Sequence, residues 1–194
     1  MKAIVCNAFG DLSQIKLATT DEPTCGPDDI LIKVRFATVS FMDWLMTDGG
    51  YQMKPPLPYV PGTDASGVVK AVGKNVIRFA PGDRVATSTW YGAYGEVMRA
   101  PEGSCILVPD GVNDLDAANI IYSYGSAHYG LIRRANLKAG ETLLVTGATG
   151  GLGLAALEIG KLLGARVIAC VGSEDKRELA MQYGADTTIN YTIE

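Results

Sequence analysis

Thr146-Gly147-Ala148-Thr149-Gly150-Gly151-Leu152-Gly153 separates a short apolar run, 142–146, from a segment that is apolar nearly all round, 150–163. The run has the length of a buried parallel strand and the segment that of a helix, so the eight residues read as a strand-to-helix turn. At such a turn, free backbone N–H groups and the positive end of the helix dipole meet an anion, most often a pyrophosphate. The glycines divide the labour. Gly150 lets the backbone approach a phosphate and Gly153 lets the helix pack close to the strand; Ala148 holds the first position of an Ala-x-Gly-x-x-Gly pattern, with Thr149, Gly151 and Leu152 filling the rest. The alternative is a tight turn with no ligand.

Beyond the turn, 165–171 reads as a second strand. Ser173 is a natural N-cap for a helix that runs to Tyr183 and stops at Gly184, with Glu174 and Asp175 in its first turn. A third strand follows at 187–191. This is a β-α-β-α-β half of a dinucleotide fold. An Asp or Glu at the end of the second strand would accept hydrogen bonds from the adenosine ribose of NAD, but the sequence there is Ala169-Cys170-Val171-Gly172. Without an acid a 2′-phosphate is repelled less, and Ser173, Lys176 and Tyr191 offer a hydroxyl, a cation and a second hydroxyl. NADPH is therefore the expected cofactor. The competing reading is that Ser173 only caps the helix, Lys176 and Arg177 are solvated, and Glu174 or Asp175 reaches the ribose.

Upstream of residue 119 the texture changes. All nine prolines lie there, the last being Pro109, and short β-rich runs at 2–6, 15–18, 30–36, 67–72, 83–87, 96–100 and 106–108 alternate with Gly/Pro punctuation, which suggests a sandwich or barrel. Ile30, Ile32, Val34 and Phe36 alternate with Lys33 and Arg35, predicting a strand with one buried face.

Composition narrows the function. The 194 residues are 47% apolar and carry 17 Lys+Arg against 21 Asp+Glu, a net charge of −4 with no like-charge block, so a basic nucleic-acid face is not expected. The longest uncharged stretches, 117–132 and 142–157, are shorter than the roughly 20 apolar residues of a spanning helix, so no membrane partner is expected. The apolar run after Met1-Lys2 is shorter than a signal-peptide core of about 7–15 residues, and a cytoplasmic chain is expected. Four scattered cysteines and one histidine, His128, give no spacing for a zinc site.

Pro61-Gly62-Thr63-Asp64-Ala65-Ser66-Gly67-Val68-Val69, then Pro81-Gly82-Asp83-Arg84-Val85, then the glycine turn, in this order, resemble the medium-chain dehydrogenase/reductase superfamily. The short-chain pattern Thr-Gly-x-x-x-Gly-x-Gly fits the turn equally well, but about 140 residues precede it and no Tyr-x-x-x-Lys pair occurs. Tyr124-Gly125-Ser126-Ala127, Leu137-Lys138-Ala139-Gly140-Glu141-Thr142 and Ile189-Asn190-Tyr191 most resemble the zinc-independent NADPH:quinone oxidoreductases. The resemblance covers the whole chain. It implies an N-terminal GroES-like β domain, 1–125, that binds substrate, then the first half of a Rossmann domain, 126–194; a homodimer is usual in that family.

Zinc-dependent relatives use a cysteine where this chain has Ser40 or Phe41 and a His-Glu pair where it has Thr63-Asp64, so the likeness implies no catalytic zinc. It also implies a hydride acceptor of the quinone or α,β-unsaturated carbonyl class, with Tyr51 and Ser40 as candidate catalytic hydroxyls, Asp43 in the same loop, and Ser126 beside the nicotinamide. His128 reads as a packed or partly exposed side chain. An enoyl-thioester reductase shares these features. Full-length members are longer, so the second Rossmann half is expected to be missing, with an open edge at 187–191; a nucleotide-binding or interaction module without turnover is the remaining alternative.

Overall fold

Two irregularities of register decide which way the N-terminal strands face. The computed structural model describes residues 1–193, and β3 (Asp29–Ala37) pairs with β4 (Asp64–Val72) through register shifts at Leu31/Ile32 and Val34/Phe36. Each shift sets two residues of one strand against one of the other, so the period-2 alternation changes phase. Ile30 and Ile32 are fully buried as expected, Leu31 on the opposite parity is buried too, and Phe36 is turned out, 43% exposed. The expectation that Phe36 shares the buried face is thus corrected: the phase change after Val34 carries it to solvent.

The chain divides into two compact units, Met1–Ile121 and the residues from Tyr122 onward. In the first, β1 (Lys2–Cys6) and β2 (Ile15–Thr19) form an antiparallel hairpin. Beside it a five-stranded antiparallel sheet runs in the order β6 (Val97–Pro101), β3, β4, β5 (Arg84–Ser88), β7 (Cys105–Leu107). Ile30, Ile32, Val69, Phe79, Val85 and Met98 form its core. Trimming one such isoleucine to alanine costs about 2–5 kcal/mol, because the close-packed surroundings collapse only in part. Helix α1 (Phe41–Asp48) leads from β3 toward β4, and the short α2 (Asp114–Ala117) starts on an Asn113 cap.

In the second unit, residues 120–134 wind in wide turns around one α turn, α3 (Ser126–His128). A three-stranded parallel sheet follows, in the order β10 (Thr187–Asn190), β9 (Arg166–Val171), β8 (Thr142–Val145), with α4 (Gly151–Leu162) and α5 (Asp175–Gln182) as crossovers. Val145, Ala148, Leu157, Val167, Ala169 and Val171 form its core.

Two expectations are corrected in this unit. The strand at 142–145 is not buried on both faces: it lies at a sheet edge, opposite β10, and Leu144 is 54% exposed. Ser173 does not cap the following helix. That helix begins at Asp175 with no side-chain capping bond, and the Ser173 hydroxyl bonds the Asp175 carboxylate, which it holds below the ordinary carboxylate range. Among the described residues no helix is long and apolar enough to cross a membrane.

Candidate functional site

The glycine turn packs before it binds. Ala148 is wholly buried and its N–H donates to the Cys170 carbonyl at 3.3 Å, which anchors the turn to β9. Gly147 takes a positive φ of 58° and its carbonyl accepts the Gly150 N–H at 3.0 Å. Gly153 is where the helix presses on the turn: a Cβ there would stand 2.4 Å from the Gly147 oxygen and 2.7 Å from the Ala148 carbonyl, closer than any side chain allows. The first rung of α4 is the Leu154 N–H to the Gly150 carbonyl at 2.8 Å, and Gly150 brings no capping side chain. The N–H groups of Gly151, Leu152 and Gly153 therefore precede the helical ladder and point out of its positive end. Thr149 and Gly150 lie beside them on the turn.

A serine that the sequence reading passed over stands at this helix start. Ser123 is buried, and its Oγ lies 3.3 Å from where a Gly151 Cβ would be. The sequence-predicted Ser126 is instead exposed on the α turn, as is His128. Tyr124, between them, gives its hydroxyl to Glu158 on α4. Nothing in the local sequence separates Ser123 from Ser126, since the wide turns of 120–134 alter which positions share a helix face.

At the far end of β9 the strand stops at Val171, and the Tyr191 ring lies over Gly172, its hydroxyl 2.5 Å from where a Gly172 Cβ would stand. Lys176 is exposed and forms no ion pair among the described residues. Both nearby acids are engaged. Glu174 accepts from Arg177 at 2.9 Å and from Asn190 at 3.3 Å, and Asp175 is held by Ser173. Ser173, Lys176 and Tyr191 thus flank one strand end, with Tyr191 packed on it and the other two on the loop and helix that leave it.

In the first unit, Ser40 opens α1 through a reciprocal capping box: Asp43 donates its N–H to the Ser40 hydroxyl at 3.4 Å, while Ser40 gives its own N–H and its hydroxyl to Asp43 Oδ2 at 2.8 Å each. The buried Asp43 also accepts the Thr63 N–H on Oδ1 at 2.9 Å, and the Thr63 hydroxyl donates to Asp64 at 2.9 Å. Burial, together with the negative charge of Asp43, pushes the Tyr94 phenol far above its ordinary value. The only proton on Ser40 Oγ is therefore committed. Tyr51 is half-buried, tilted against Trp90 with ring centroids 6.2 Å apart, and its hydroxyl has no hydrogen-bond partner among the described residues. Phe41 is exposed and packs on Trp44 at 5.3 Å. Among the described residues no three His, Cys, Asp or Glu side chains are grouped to hold a metal ion.

The sequence model of the alcohol dehydrogenase GroES-like domain matches residues 26–110, and that of the zinc-binding dehydrogenase family matches residues 151–194. The chain belongs to the medium-chain dehydrogenase/reductase superfamily, as a GroES-like domain joined to part of a Rossmann-like domain. Within it, the chain is similar to quinone oxidoreductases. It is 37% identical to the quinone oxidoreductase of Homo sapiens over 98% of this chain and 59% of that protein. It is 39% identical to quinone oxidoreductase-like protein 2 of Rattus norvegicus over 86% of this chain and 48% of that one. Among solved structures, the Escherichia coli quinone oxidoreductase complexed with NADPH superposes with a TM-score of 0.92 at 29% identity, over 100% of this chain and 60% of that one. The Pseudomonas syringae quinone oxidoreductase gives 0.92 at 34% identity, covering 100% and 59%. The chain spans about half to three-fifths of the length of these relatives.

Proposed function

We propose that the chain is part of an NADPH-dependent reductase of quinones or α,β-unsaturated carbonyls that works without catalytic zinc. The observation that carries this reading is the start of α4, where three N–H groups without ladder partners face outward behind a turn whose close packing only Gly153 permits. Those groups fit a pyrophosphate, with Thr149 and Gly150 on the approach and the helix dipole aligned with its charge. The likeness to the NADPH-complexed Escherichia coli enzyme supports the same cofactor.

The choice of NADPH rests on the strand end. Gly172 carries no acid, Glu174 is paired with Arg177, and the exposed Lys176, which forms no ion pair among the described residues, can meet a 2′-phosphate, with the Tyr191 hydroxyl nearby as a donor and the Ser173 hydroxyl turned to Asp175. When bound, the cofactor supplies a hydride, and the protein contributes position and electrostatics. Tyr51 carries the available hydroxyl, so it is assigned as the donor to the oxygen on which charge develops. Ser40, its proton given to Asp43, is assigned to shaping the loop that presents Tyr51's neighbourhood, and Ser126 to the nicotinamide side. The residues at the positions where zinc-dependent relatives hold metal do not fit zinc: Ser40 is a helix cap, Phe41 an exposed ring, and the Thr63 hydroxyl, which stands where a histidine would be needed, is given to Asp64.

Titration of the purified chain with NADPH and NADH, followed by addition of a small quinone, tests the reading. Selective NADPH binding with loss of its absorbance on adding quinone supports it, and failure to bind either nucleotide sinks it. A second outcome, NADPH binding with no oxidation, would instead select nucleotide binding without turnover.

A further inference from the structure

Trp90 and Tyr51 reach one another from two loops, one after β5 and one after α1, with ring centroids 6.2 Å apart and planes tilted by 40°. At that tilt the rings touch without lying flat on each other, and Trp90 keeps 55% of its surface exposed. An uncovered indole face therefore stands beside the Tyr51 hydroxyl, which has no hydrogen-bond partner among the described residues. The face of an indole is rich in electron density. The ring of a quinone, drained by two carbonyls, is poor in it, so the two attract face to face more strongly than an indole attracts a puckered or open-chain enone.

The backbone under Trp90 is held on both sides. The Thr89 N–H donates to the Thr63 carbonyl and the Gly92 N–H to the Val60 carbonyl, each at 2.8 Å, and the Thr89 hydroxyl spans Trp90 to reach the Tyr91 carbonyl at 3.0 Å. The Tyr91 ring meets the buried Tyr59 edge-on at 5.9 Å. Thr63 is in turn bonded to Asp43 on α1, the helix that Tyr51 follows. The ordering of this loop is thus already in place when a ring settles on the indole. Trp90 also forms part of the wall of a hollow of about 620 Å³ in the first unit, with Pro56, Pro58 and Tyr91, a volume within the range of small-molecule pockets. Asp21 and Asp29 of that wall are matched by Arg99 and the Met1 ammonium, so nothing there demands a charged acceptor.

We propose, on the reading that Tyr51 is the donor to the acceptor oxygen, that Trp90 is a specificity-determining residue: the flat ring of a quinone lies on its indole face with a carbonyl toward the Tyr51 hydroxyl. The chain is titrated with duroquinone, whose ring carbons are all methylated and closed to thiols, and with cyclohexenone. Proton–nitrogen NMR follows the indole N–H resonances of the two tryptophans, told apart with Trp44→Phe. Saturable movement of the Trp90 resonance is expected, with duroquinone bound at least about ten-fold tighter than cyclohexenone. Trp90→Leu, with unchanged circular dichroism, should weaken duroquinone about ten-fold, the upper end of what one aromatic pair contributes, and cyclohexenone by less than about two-fold, both read at the Thr89 and Tyr91 amides. Trp90→Phe, which keeps a smaller ring, should recover part of the loss. Movement confined to Trp44, no saturation, equal affinity for the two probes, or equal losses for both in Trp90→Leu would each overturn the assignment. The titrations contain no NADPH and so stand apart from turnover. Duroquinone bound through Trp90 by a chain that oxidises no NADPH sinks the reductase reading and keeps this contact, whereas NADPH oxidation by folded Trp90→Leu with an unchanged KM for duroquinone removes Trp90 and keeps the reading.

Discussion

Ser40 gives Asp43 both its backbone N–H and its hydroxyl, at 2.8 Å each and on the same carboxylate oxygen, while the other oxygen of Asp43 takes the Thr63 N–H at 2.9 Å. One buried carboxylate thereby fastens the start of α1 to the segment entering β4. Asp43→Asn places an amide against these donors and should lower stability by about 1–3 kcal/mol, and Ser40→Ala by about 1 kcal/mol through the lost cap. Urea denaturation midpoints measure both. A larger loss in Ser40→Ala than in Asp43→Asn would show that the serine, and not the carboxylate, carries the link.

Tyr51→Phe keeps the ring that packs on Trp90 and removes a hydroxyl that has no hydrogen-bond partner among the described residues. In the quinone-reduction assay kcat should fall by about 10²-fold with NADPH affinity unchanged, as removal of a proton or hydrogen-bond donor requires. A KM effect alone would make the tyrosine a wall of the substrate site.

Two neighbouring glycines should respond oppositely to alanine. At Gly153 a methyl meets the Gly147 oxygen at 2.4 Å, so Gly153→Ala should cost about 1–3 kcal/mol or more in stability. At Gly150 the contact is 3.4 Å and φ is an ordinary −80°, so Gly150→Ala should fold normally and weaken NADPH about ten-fold, because the methyl occupies phosphate space. Thermal melts and fluorescence titrations of the pair separate packing from binding.

Lys176→Ala should weaken NADPH about five- to ten-fold and leave NADH unchanged, since only the 2′-phosphate distinguishes the two. Raising the salt concentration in the parent chain should erode the same preference. Equal losses for both nucleotides would place Lys176 elsewhere on the cofactor.

Asp114 accepts from Arg35 at 2.5 Å and from Arg84 at 2.8 and 3.0 Å, and the Arg35 hydrogen bond, followed by that of Arg84, holds its carboxyl below the usual range. The folded value lies below the unfolded one, near 3.9. The stabilisation is therefore complete above that unfolded value and is lost as pH falls through the folded one. Asp114→Asn should lower stability at neutral pH by about 1–3 kcal/mol and narrow the gap from the parent chain as the solution is acidified. Denaturation midpoints against pH read both effects.

The Rossmann-like half was legible because its signals are local. A turn flanked by an apolar run and a helical segment has few other solutions, and Gly153 meets the backbone at the point its motif position implies. Phe36 was not legible, since the register shift that turns it outward depends on β4, thirty residues away in sequence. Leu144 reads as core from composition alone, yet it lies on the face of β8 opposite Leu143 and Val145, which pack on the core, and is exposed. Ser173 has the residue type of a cap, yet the helix starts at Asp175 with no side-chain capping bond. Tyr51 could be singled out from its likeness to relatives, whereas the commitment of the Ser40 proton to Asp43 needed coordinates, because a Ser-x-x-Asp spacing fits both a free hydroxyl and a closed capping box.

The packing of Tyr191 on Gly172 also sets an order of events for any drift in nucleotide preference. An aspartate at 172, the substitution that would favour NADH, needs the volume that the tyrosine hydroxyl fills, 2.5 Å from the Cβ position. Gly172→Asp alone would lose packing before it gained a ribose contact, while the same change after Tyr191→Ala would find room. The two steps are epistatic, and the accessible path runs through residue 191 first.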